Sequence, residues 1–350
     1  MKKMAKIKVG ILGATGTVGQ RFIQLLENHP WFEITEVAAS EKSAGQTYEQ
    51  AVAGRWLQTT PIPANVKKLK VKECKSNLNC TVVFSGLDAT VAGEIEAAFA
   101  DAGYKVFSNA KNHRMDNHVP LMIPEVNASH APLIKSQKRK GFIVTNPNCT
   151  TIGMVMALAP LQKEFGITSV IMTSMQAISG AGYPGVASID IVDNVIPFIG
   201  GEEEKVQTET LKLLGTLEKG KVKPAEITIS AHCNRVAVID GHTETVSFSL
   251  KKKPSIEEIK RTFSNYNPLR GLNLPSAPAH PIIVLEEQNR PQPKLDRNLE
   301  KGMACVIGRI RKDEVLGYKM VVLSHNTIRG AAGCSILNAE LMKAKGFLGE

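Results

Sequence analysis

Aromatic residues are scarce in this sequence, and metal-binding patterns are missing from it. Phe, Trp and Tyr make up only 5% of the 350 residues, which argues against a surface that stacks nucleic-acid bases. The six cysteines include no CxxC pair and no Cys/His spacing typical of a metal site. No apolar run approaches the ~20 residues that span a membrane, and no apolar signal region follows Met1. We therefore expect no bound metal, no nucleic-acid or membrane partner, and a reducing cytoplasmic location.

The overall composition is typical of a globular protein that binds small anionic molecules. Hydrophobic residues make up 43% of the chain and charged residues 22%, which are ordinary values. The length allows two domains, each with its own core. The net charge of +10 is spread along the chain and favours anionic ligands such as dinucleotides and phosphates.

The rest of the chain is organised around residues 145–151, TNPNCTT. Residues 141–144 predict a short strand before this stretch, and residues 152–159 predict a buried helix after it. Asn146, Pro147 and Asn148 favour a turn. Cys149 is therefore expected on the first turn of a helix, next to Asn148.

A cysteine in this position is a candidate nucleophile. Free N–H groups and the helix dipole favour a thiolate there, and we expect the pKa of Cys149 to fall from about 8.5 to roughly 3.5–7.5. The same N–H groups would stabilise an oxyanion formed when sulfur attacks a carbonyl. The alternative is a buried structural cysteine, but the polar, turn-forming neighbours argue against it.

A glycine loop near the amino terminus indicates dinucleotide binding. Residues 6–12 predict a strand, residues 13–19 (GATGTVG) a tight turn, and the following residues an amphipathic helix. In that order, the glycines let a pyrophosphate approach the backbone at a helix N-terminus. We expect cofactor contacts at Gly13, Thr15, Gly16, Thr17 and Val18. A plain glycine turn is the alternative, since the spacing is GxxGxxG rather than GxGxxG.

The end of the second predicted strand favours NADP over NAD. Residues 34–39 predict this strand, and SEKS follows at residues 40–43. Sites that prefer NAD usually place an acid at this end to bind the ribose hydroxyls. Ser40, Lys42 and Ser43 suit a 2′-phosphate instead, although Glu41 makes the preference modest.

Alternating strands and helices predict a parallel, doubly wound sheet in the first half of the chain. Strands are expected at residues 81–84 and 105–107, with a helix at residues 89–102 between them. Ligands bind beyond the carboxyl ends of such strands, so Ser85, Asn109 and the Cys149 turn are expected to share a crevice. Arg114 follows in the same region, where its planar guanidinium suits a phosphate, although a solvated arginine is equally consistent with the spacing.

The second half predicts a sheet-rich α+β domain. A strand at residues 169–175 leads to Gln176 and a glycine-rich end that contains Ser179 and Gly180. The amphipathic helix predicted at residues 202–214 places Glu209 and Lys212 on one face, where an exposed ion pair is the alternative to a binding role.

His242 is the best partner for Cys149 in the sequence. Residues 235–242 predict a strand that ends in a glycine turn and this histidine, and residues 243–250 alternate like an antiparallel strand. A histidine near its usual pKa of about 6.5 can take a thiol proton and later return it. A single histidine is more often solvated or structural, so its spacing alone does not decide its role.

Five motifs in one order resemble the aspartate-semialdehyde dehydrogenases of the archaeal and fungal type. They are the glycine loop, NPNCTT at 146–151, Gln176-x-x-Ser179-Gly180, Arg235-x6-His242 and NTIRGA at 326–331. The resemblance implies a Rossmann-type dinucleotide domain at residues 1–149, completed by residues 326–350. It also implies an α+β catalytic and dimerisation domain at residues 150–325, like that of glyceraldehyde-3-phosphate dehydrogenase.

The resemblance also implies an activity and roles for single residues. The family reduces L-aspartyl 4-phosphate to the semialdehyde with NADPH, through a cysteine thioester, in lysine, threonine, methionine and isoleucine biosynthesis. Cys149 would be the nucleophile, His242 the acid/base, and Gln176 would orient the substrate. The substrate contacts implied are Arg235 to the α-carboxylate, Glu209 to the ammonium, Arg114 and Lys212 to the phosphate, and Asn148 at the nucleophile. Ser179, Gly180 and Asn326 would contact the cofactor, and the enzyme would be a homodimer or homotetramer.

Several alternatives remain open at this point. Glu202 to Glu204 and Lys205 offer a competing register for the roles of Glu209 and Lys212. An acyl-CoA reductase such as malonyl-CoA reductase would use the same scaffold, cysteine and histidine. A cysteine hydrolase and a non-catalytic binding scaffold are more distant alternatives, and the glycine loop argues against the hydrolase.

Overall fold

A computed structural model describes residues 5–349 and contains two six-stranded sheets. The first sheet comprises β1 (Ile7–Leu12), β2 (Phe32–Ala39), β3 (Val71–Glu73), β4 (Val82–Ser85), β5 (Lys105–Ser108) and β6 (Phe142–Thr145). Its order is β3-β2-β1-β4-β5-β6, and all neighbouring strands are parallel. The strand order reverses between β1 and β4, which opens the crevice where doubly wound sheets bind ligands. The predicted Rossmann-type sheet is confirmed.

Helices cover this sheet, and one long helix leaves it for the second half of the chain. They are α1 (Thr17–Leu25), α2 (Tyr48–Ala51), α3 (Ala64–Lys67), α4 (Ala89–Asp101), α5 (Pro124–Asn127) and α6 (Cys149–Phe165). The Asn148 side chain caps α6 by accepting from the N–H groups of Thr150 and Thr151. Residues 150–161 of α6 are all buried, so its N-terminus is held rigidly at the crevice.

The second half is built on a mixed sheet. Its strands are β7 (Ile167–Gln176), β10 (Thr228–Arg235), β11 (His242–Leu250), β12 (Ile282–Leu285), β13 (Cys305–Asp313) and β14 (Gly317–Ser324), and a separate hairpin joins β8 (Thr216–Glu218) and β9 (Lys221–Lys223). The sheet order is β10-β7-β11-β14-β13-β12. The helices are α7 (Ser188–Ile191), α8 (Glu202–Leu213), α9 (Ile256–Ser264), α10 (Pro293–Asp296) and α11 (Gly333–Ala344). The two sheets together confirm the predicted fold class.

The two sheets have separate cores, and the carboxy-terminal segment belongs to the first. Ile336 and Leu341 of α11 pack with Val9 and Phe22 in the core of the parallel sheet. Met154 and Leu158 of α6 belong to the other core, beneath the mixed sheet. The boundaries at 149/150 and 325/326 stay predictions, and residues 1–4 and 350 of those ranges lie outside the described residues.

One predicted strand is wrong. Residues 236–241 form a loop, because β10 ends at Arg235 and β11 begins at His242. The loop backbone instead accepts hydrogen bonds from Ile178 and Ser179 through the carbonyls of Val238 and Ile239. Ser255 and Glu258 form a capping box at the start of α9. No helix within residues 5–349 is long and apolar enough to cross a membrane.

Candidate active site

The N-terminus of α6 opens into a cleft of about 650 Å³ between the two sheets. Twelve of the predicted site residues line this cleft: Gly13, Thr15, Gly16, Thr17, Val18, Ser40, Arg114, Asn148, Cys149, Ser179, Gly180 and Asn326. Asn109 lines it as well. The glycine loop, the end of β5 and the start of α6 therefore share one crevice, as the order of the strands requires.

Cys149 and His242 meet at the floor of the cleft, although 93 positions separate them in sequence. The Sγ of Cys149 lies 3.2 Å from Nε2 of His242. The first residue of β11 is thus placed beside the first residue of α6.

A backbone amide determines which nitrogen of His242 carries its proton. The N–H of Ala177 donates to Nδ1 of His242 at 3.0 Å. Because Nδ1 accepts this bond, a neutral ring carries its proton on Nε2 and directs it at the sulfur. Burial and, to a lesser extent, the positive charge of Arg235 lower the pKa of His242 to about 3. The resting ring is therefore a neutral Nε2–H donor, and it is not placed to take the thiol proton as the sequence predicted.

The predicted lowering of the Cys149 pKa is wrong for this resting site. Burial and, to a lesser extent, the nearby Glu202 carboxylate raise the pKa of the Cys149 thiol to about 12. The positive charges of Arg235 and Arg114 act in the opposite direction but do not compensate. The sequence reveals the helix N-terminus, but it does not reveal the surrounding protein or the carboxylate.

Glu202 connects three parts of the site. Its Oε2 accepts from Nδ2 of Asn148 at 2.8 Å and from Nε2 of Gln176 at 3.4 Å. Burial opposes its ionisation, but the ion pair with Lys205, at 2.7 Å, and these hydrogen bonds keep its pKa below the usual value. Glu202 is therefore a buried anion beside the nucleophile. From the sequence, Glu202 was considered only as one of the residues that could take the role of Glu209.

Arg235 lies next to the predicted orienting residue. Its Nη1 donates to the carbonyl of Ala177 at 2.8 Å and approaches Oε1 of Gln176 at 3.5 Å. Gly180 passes close to this guanidinium, because a Cβ there would lie 2.8 Å from Nη1 of Arg235. The absence of a side chain at Gly180 therefore leaves room for Arg235 and for His242, whose Cε1 would lie 3.2 Å from the same added Cβ.

Arg114, Glu209 and Lys212 form a connected buried group. Glu209 accepts from Nη1 of Arg114 at 2.9 Å and from the N–H of Asn148 at 2.7 Å. Lys212 donates to the carbonyls of Arg114, Asp116 and Val119 at 2.6 to 3.1 Å. Burial lowers the pKa of Lys212 to about 8. All three protons of its ammonium are therefore directed at the loop that carries Arg114, and only Arg114 of the three lines the cleft.

The glycine loop fits a dinucleotide. Gly13 has a φ of +72°, and a Cβ there would lie 2.8 Å from the carbonyl of Gly86. No side chain caps α1, so its first N–H groups remain available to a pyrophosphate. Ser40 lines the cleft, whereas Lys42 is exposed outside it, and Ser43 and Ser85 are buried. Contacts of these last three residues with the cofactor stay predictions.

Asn326 links the two halves of the site. Its Nδ2 donates to Oγ of Ser179 at 2.8 Å, and its Oδ1 accepts from the N–H of Gly241 at 2.8 Å. The side-chain amide of Asn326 therefore holds Gly241, the residue before His242, at the edge of the cofactor cleft.

The sequence drew attention to Arg329 and Gly330 without indicating their contacts. A Cβ on Gly330 would lie 2.8 Å from Cβ of Cys149, so only glycine allows this approach. The buried Arg329 forms an ion pair with Glu125 of α5 at 2.5 Å. These contacts hold the segment before α11 against the nucleophile.

The fold and site together define a class of protein. The chain matches the family models for the NAD binding domain of semialdehyde dehydrogenases at residues 8–133 and for their dimerisation domain at residues 158–329. It is a dinucleotide-binding oxidoreductase of the semialdehyde dehydrogenase class.

Individual relatives define the family within this class. Over 96% of its length the chain is 52% identical to the aspartate-semialdehyde dehydrogenase of Archaeoglobus fulgidus, of which it covers 98%. It is 48% identical to that of Saccharomyces cerevisiae, over 97% of this chain and 98% of the relative. A crystal structure of the Candida albicans enzyme with NADP matches with a TM-score of 0.90 and 46% identity, over 97% of this chain and 99% of the other. The chain belongs to the aspartate-semialdehyde dehydrogenase family.

Proposed function

We propose that this enzyme reduces L-aspartyl 4-phosphate to L-aspartate 4-semialdehyde with NADPH and releases inorganic phosphate. The observation that carries the proposal is the Cys149–His242 pair, 3.2 Å apart at the floor of a dinucleotide cleft. Membership of the family supports the substrate, and the Candida albicans structure with NADP supports the cofactor.

In the proposed mechanism, Cys149 is the nucleophile. Its sulfur bonds to the acyl carbon, the bond from that carbon to the phosphate oxygen breaks, and the thiol proton leaves with the phosphate. NADPH, when bound, supplies the hydride that reduces the thioester. The Nε2–H of His242 then donates to the departing sulfur and stabilises it as a thiolate. This donor role follows from the hydrogen bond that Nδ1 accepts from Ala177.

The charged groups around the sulfur suit the rest of the substrate. We assign the α-carboxylate to Arg235, the orientation of the carbonyl to Gln176 and the phosphate to Arg114. Asn148 fixes the start of α6 through its cap. Glu209 and Lys212 support this arrangement by holding Arg114 and its loop. Glu202 is an alternative to Glu209 as the carboxylate that binds the ammonium group of the substrate, because Glu202 accepts a hydrogen bond from Gln176.

We propose that the enzyme is a homodimer or homotetramer in the cytoplasm. The dimerisation domain supports self-association, and Ile189 and Phe198 expose apolar side chains on that half of the chain. Six cysteines without a disulfide support a reducing compartment. Light scattering of the purified protein would determine the number of subunits.

A steady-state assay tests the proposed function. The protein is offered aspartate semialdehyde with phosphate, and separately malonyl-CoA, each with NADP(H) and NAD(H). We expect phosphate-dependent oxidation of the semialdehyde, with NADP preferred. Turnover of malonyl-CoA without any turnover of the semialdehyde would overturn the proposal in favour of an acyl-CoA reductase, which the relatives do not favour.

A further inference from the structure

A second, smaller chamber lies beside the cofactor cleft. Its volume is about 290 Å³, and it shares Thr17, Ser179, Gly182, Tyr183 and Thr327 with the cleft. One wall comes from α1 and residues 57–58, and the other from residues 178–185 and 239–240. The chamber therefore separates the dinucleotide-binding half from the loop that leads to His242.

Opposite charges line the two walls of this chamber. Arg21 lies on α1, and its Nη1 donates to Gln24 at 2.7 Å, but its buried Nε has no partner. Asp240 lies on the opposite wall, where its backbone carbonyl accepts from Nη1 of Arg297 at 3.1 Å, but within residues 5–349 its carboxylate forms no hydrogen bond or ion pair. Burial lowers the pKa of Arg21, and the negative charge of Asp240 opposes that change. The two charges therefore attract each other across the chamber.

Both residues are attached directly to functional parts of the cleft. Arg21 is one helical turn after Thr17, which begins α1 at the glycine loop. Asp240 precedes Gly241, whose N–H donates to Asn326 at 2.8 Å, and His242 follows immediately. Attraction between Arg21 and Asp240 thus acts between the start of the dinucleotide site and the histidine beside the nucleophile.

We propose that Arg21 and Asp240 are a positioning pair that aligns the dinucleotide-binding half with the loop before His242. Neither residue is assigned a contact with the reacting atoms. The pair makes cofactor binding and the placement of His242 depend on each other, and this inference rests on the proposed function.

A double-mutant cycle tests the pair. Arg21→Met, Asp240→Asn and the double variant are compared with wild type by NADPH fluorescence titration and by kcat. We expect each single variant to weaken NADPH binding by about five- to tenfold, and the double variant to be no weaker than the worse single one. Arg21→Lys keeps the charge and should recover most of the affinity.

A matched pair provides the control. Arg139 and Asp101 form an ion pair at 2.6 Å on the surface, and neither lines the cleft or the chamber. Arg139→Met and Asp101→Asn should leave the Kd for NADPH unchanged. If Arg21 had a purely structural role, its substitution would lower Tm, and the effects of the Arg21 and Asp240 substitutions on the Kd for NADPH would be independent of each other.

Two outcomes would overturn the proposed role of Arg21 and Asp240. One is that the two substitutions have independent, multiplicative effects on the Kd for NADPH, and the other is that all variants bind NADPH with wild-type affinity. A protein that binds NADPH but does not act on aspartate semialdehyde would disprove the proposed function alone, since the pair is judged on the Kd.

Discussion

His242 lies between two hydrogen-bond partners that use both of its nitrogens, with Ala177 N–H at Nδ1 and the Cys149 sulfur 3.2 Å from Nε2. A protonated ring would direct a hydrogen at the Ala177 amide, so the neutral ring is favoured. The histidine therefore acts on the sulfur as a donor in the resting enzyme.

The tautomer of His242 can be measured directly. We expect ¹⁵N NMR of labelled protein to show a protonated Nε2 and an unprotonated Nδ1 throughout the neutral range, because the pKa of His242 is lowered to about 3. Accordingly, kcat/KM should show no acid limb near pH 6.5, where an ordinary histidine would produce one. An imidazolium at pH 6 would contradict this assignment.

Glu202 should control the reactivity of Cys149. Its negative charge raises the pKa of the thiol, so Glu202→Gln should lower that pKa and increase the rate of iodoacetamide labelling at pH 7.5. In wild type, the rate of iodoacetamide labelling should rise steadily with pH, because more thiolate forms as the pH approaches the raised pKa of Cys149. Glu204→Gln, an exposed position on the same helix, is the control. Equal labelling rates in all three proteins would rule out this electrostatic control.

Gly330 should be essential for the geometry at Cys149. In Gly330→Ala, the new methyl group would lie 2.8 Å from Cβ of Cys149, so the start of α6 or the segment before α11 must move. We expect kcat to fall by roughly 100-fold, because misplacement of a catalytic group by about 1 Å has that effect. Gly200→Ala is the control, since no atom lies within 4 Å of its added Cβ. Normal kcat in Gly330→Ala would show that this close approach is dispensable.

The ion pair between Arg329 and Glu125 should stabilise the fold. Arg329→Met leaves the Glu125 carboxylate buried without its partner, which should lower the free energy of unfolding by about 3–5 kcal/mol. Adding Glu125→Gln should restore part of that loss. Chemical denaturation measures both effects, and a single variant as stable as wild type would contradict the role of this pair.

The sequence predicted elements whose signals are local. The glycine loop, the strand before Cys149 and the helix after it each follow from turn chemistry and apolar spacing in a few consecutive residues. The order of these elements was sufficient to predict that their ends share a crevice, because parallel strands direct their carboxyl ends to one edge of the sheet.

The remaining features depend on contacts between distant residues. The raised pKa of Cys149 results from burial and from Glu202, which is 53 positions away. The tautomer of His242 depends on a backbone amide, which has no sequence signature. The strand predicted at residues 235–242 failed for a similar reason, because a nearby loop takes up the backbone hydrogen bonds of residues 238 and 239.

A burst experiment tests the central claim most directly. Wild-type protein is mixed rapidly with aspartate semialdehyde and NADP in the absence of phosphate, and the quenched protein is digested for mass spectrometry. We predict a burst of one NADPH per active site and an aspartyl group bound to Cys149, with neither in Cys149→Ser. A burst that survives in Cys149→Ser, or an acyl group on any other residue, would contradict the account.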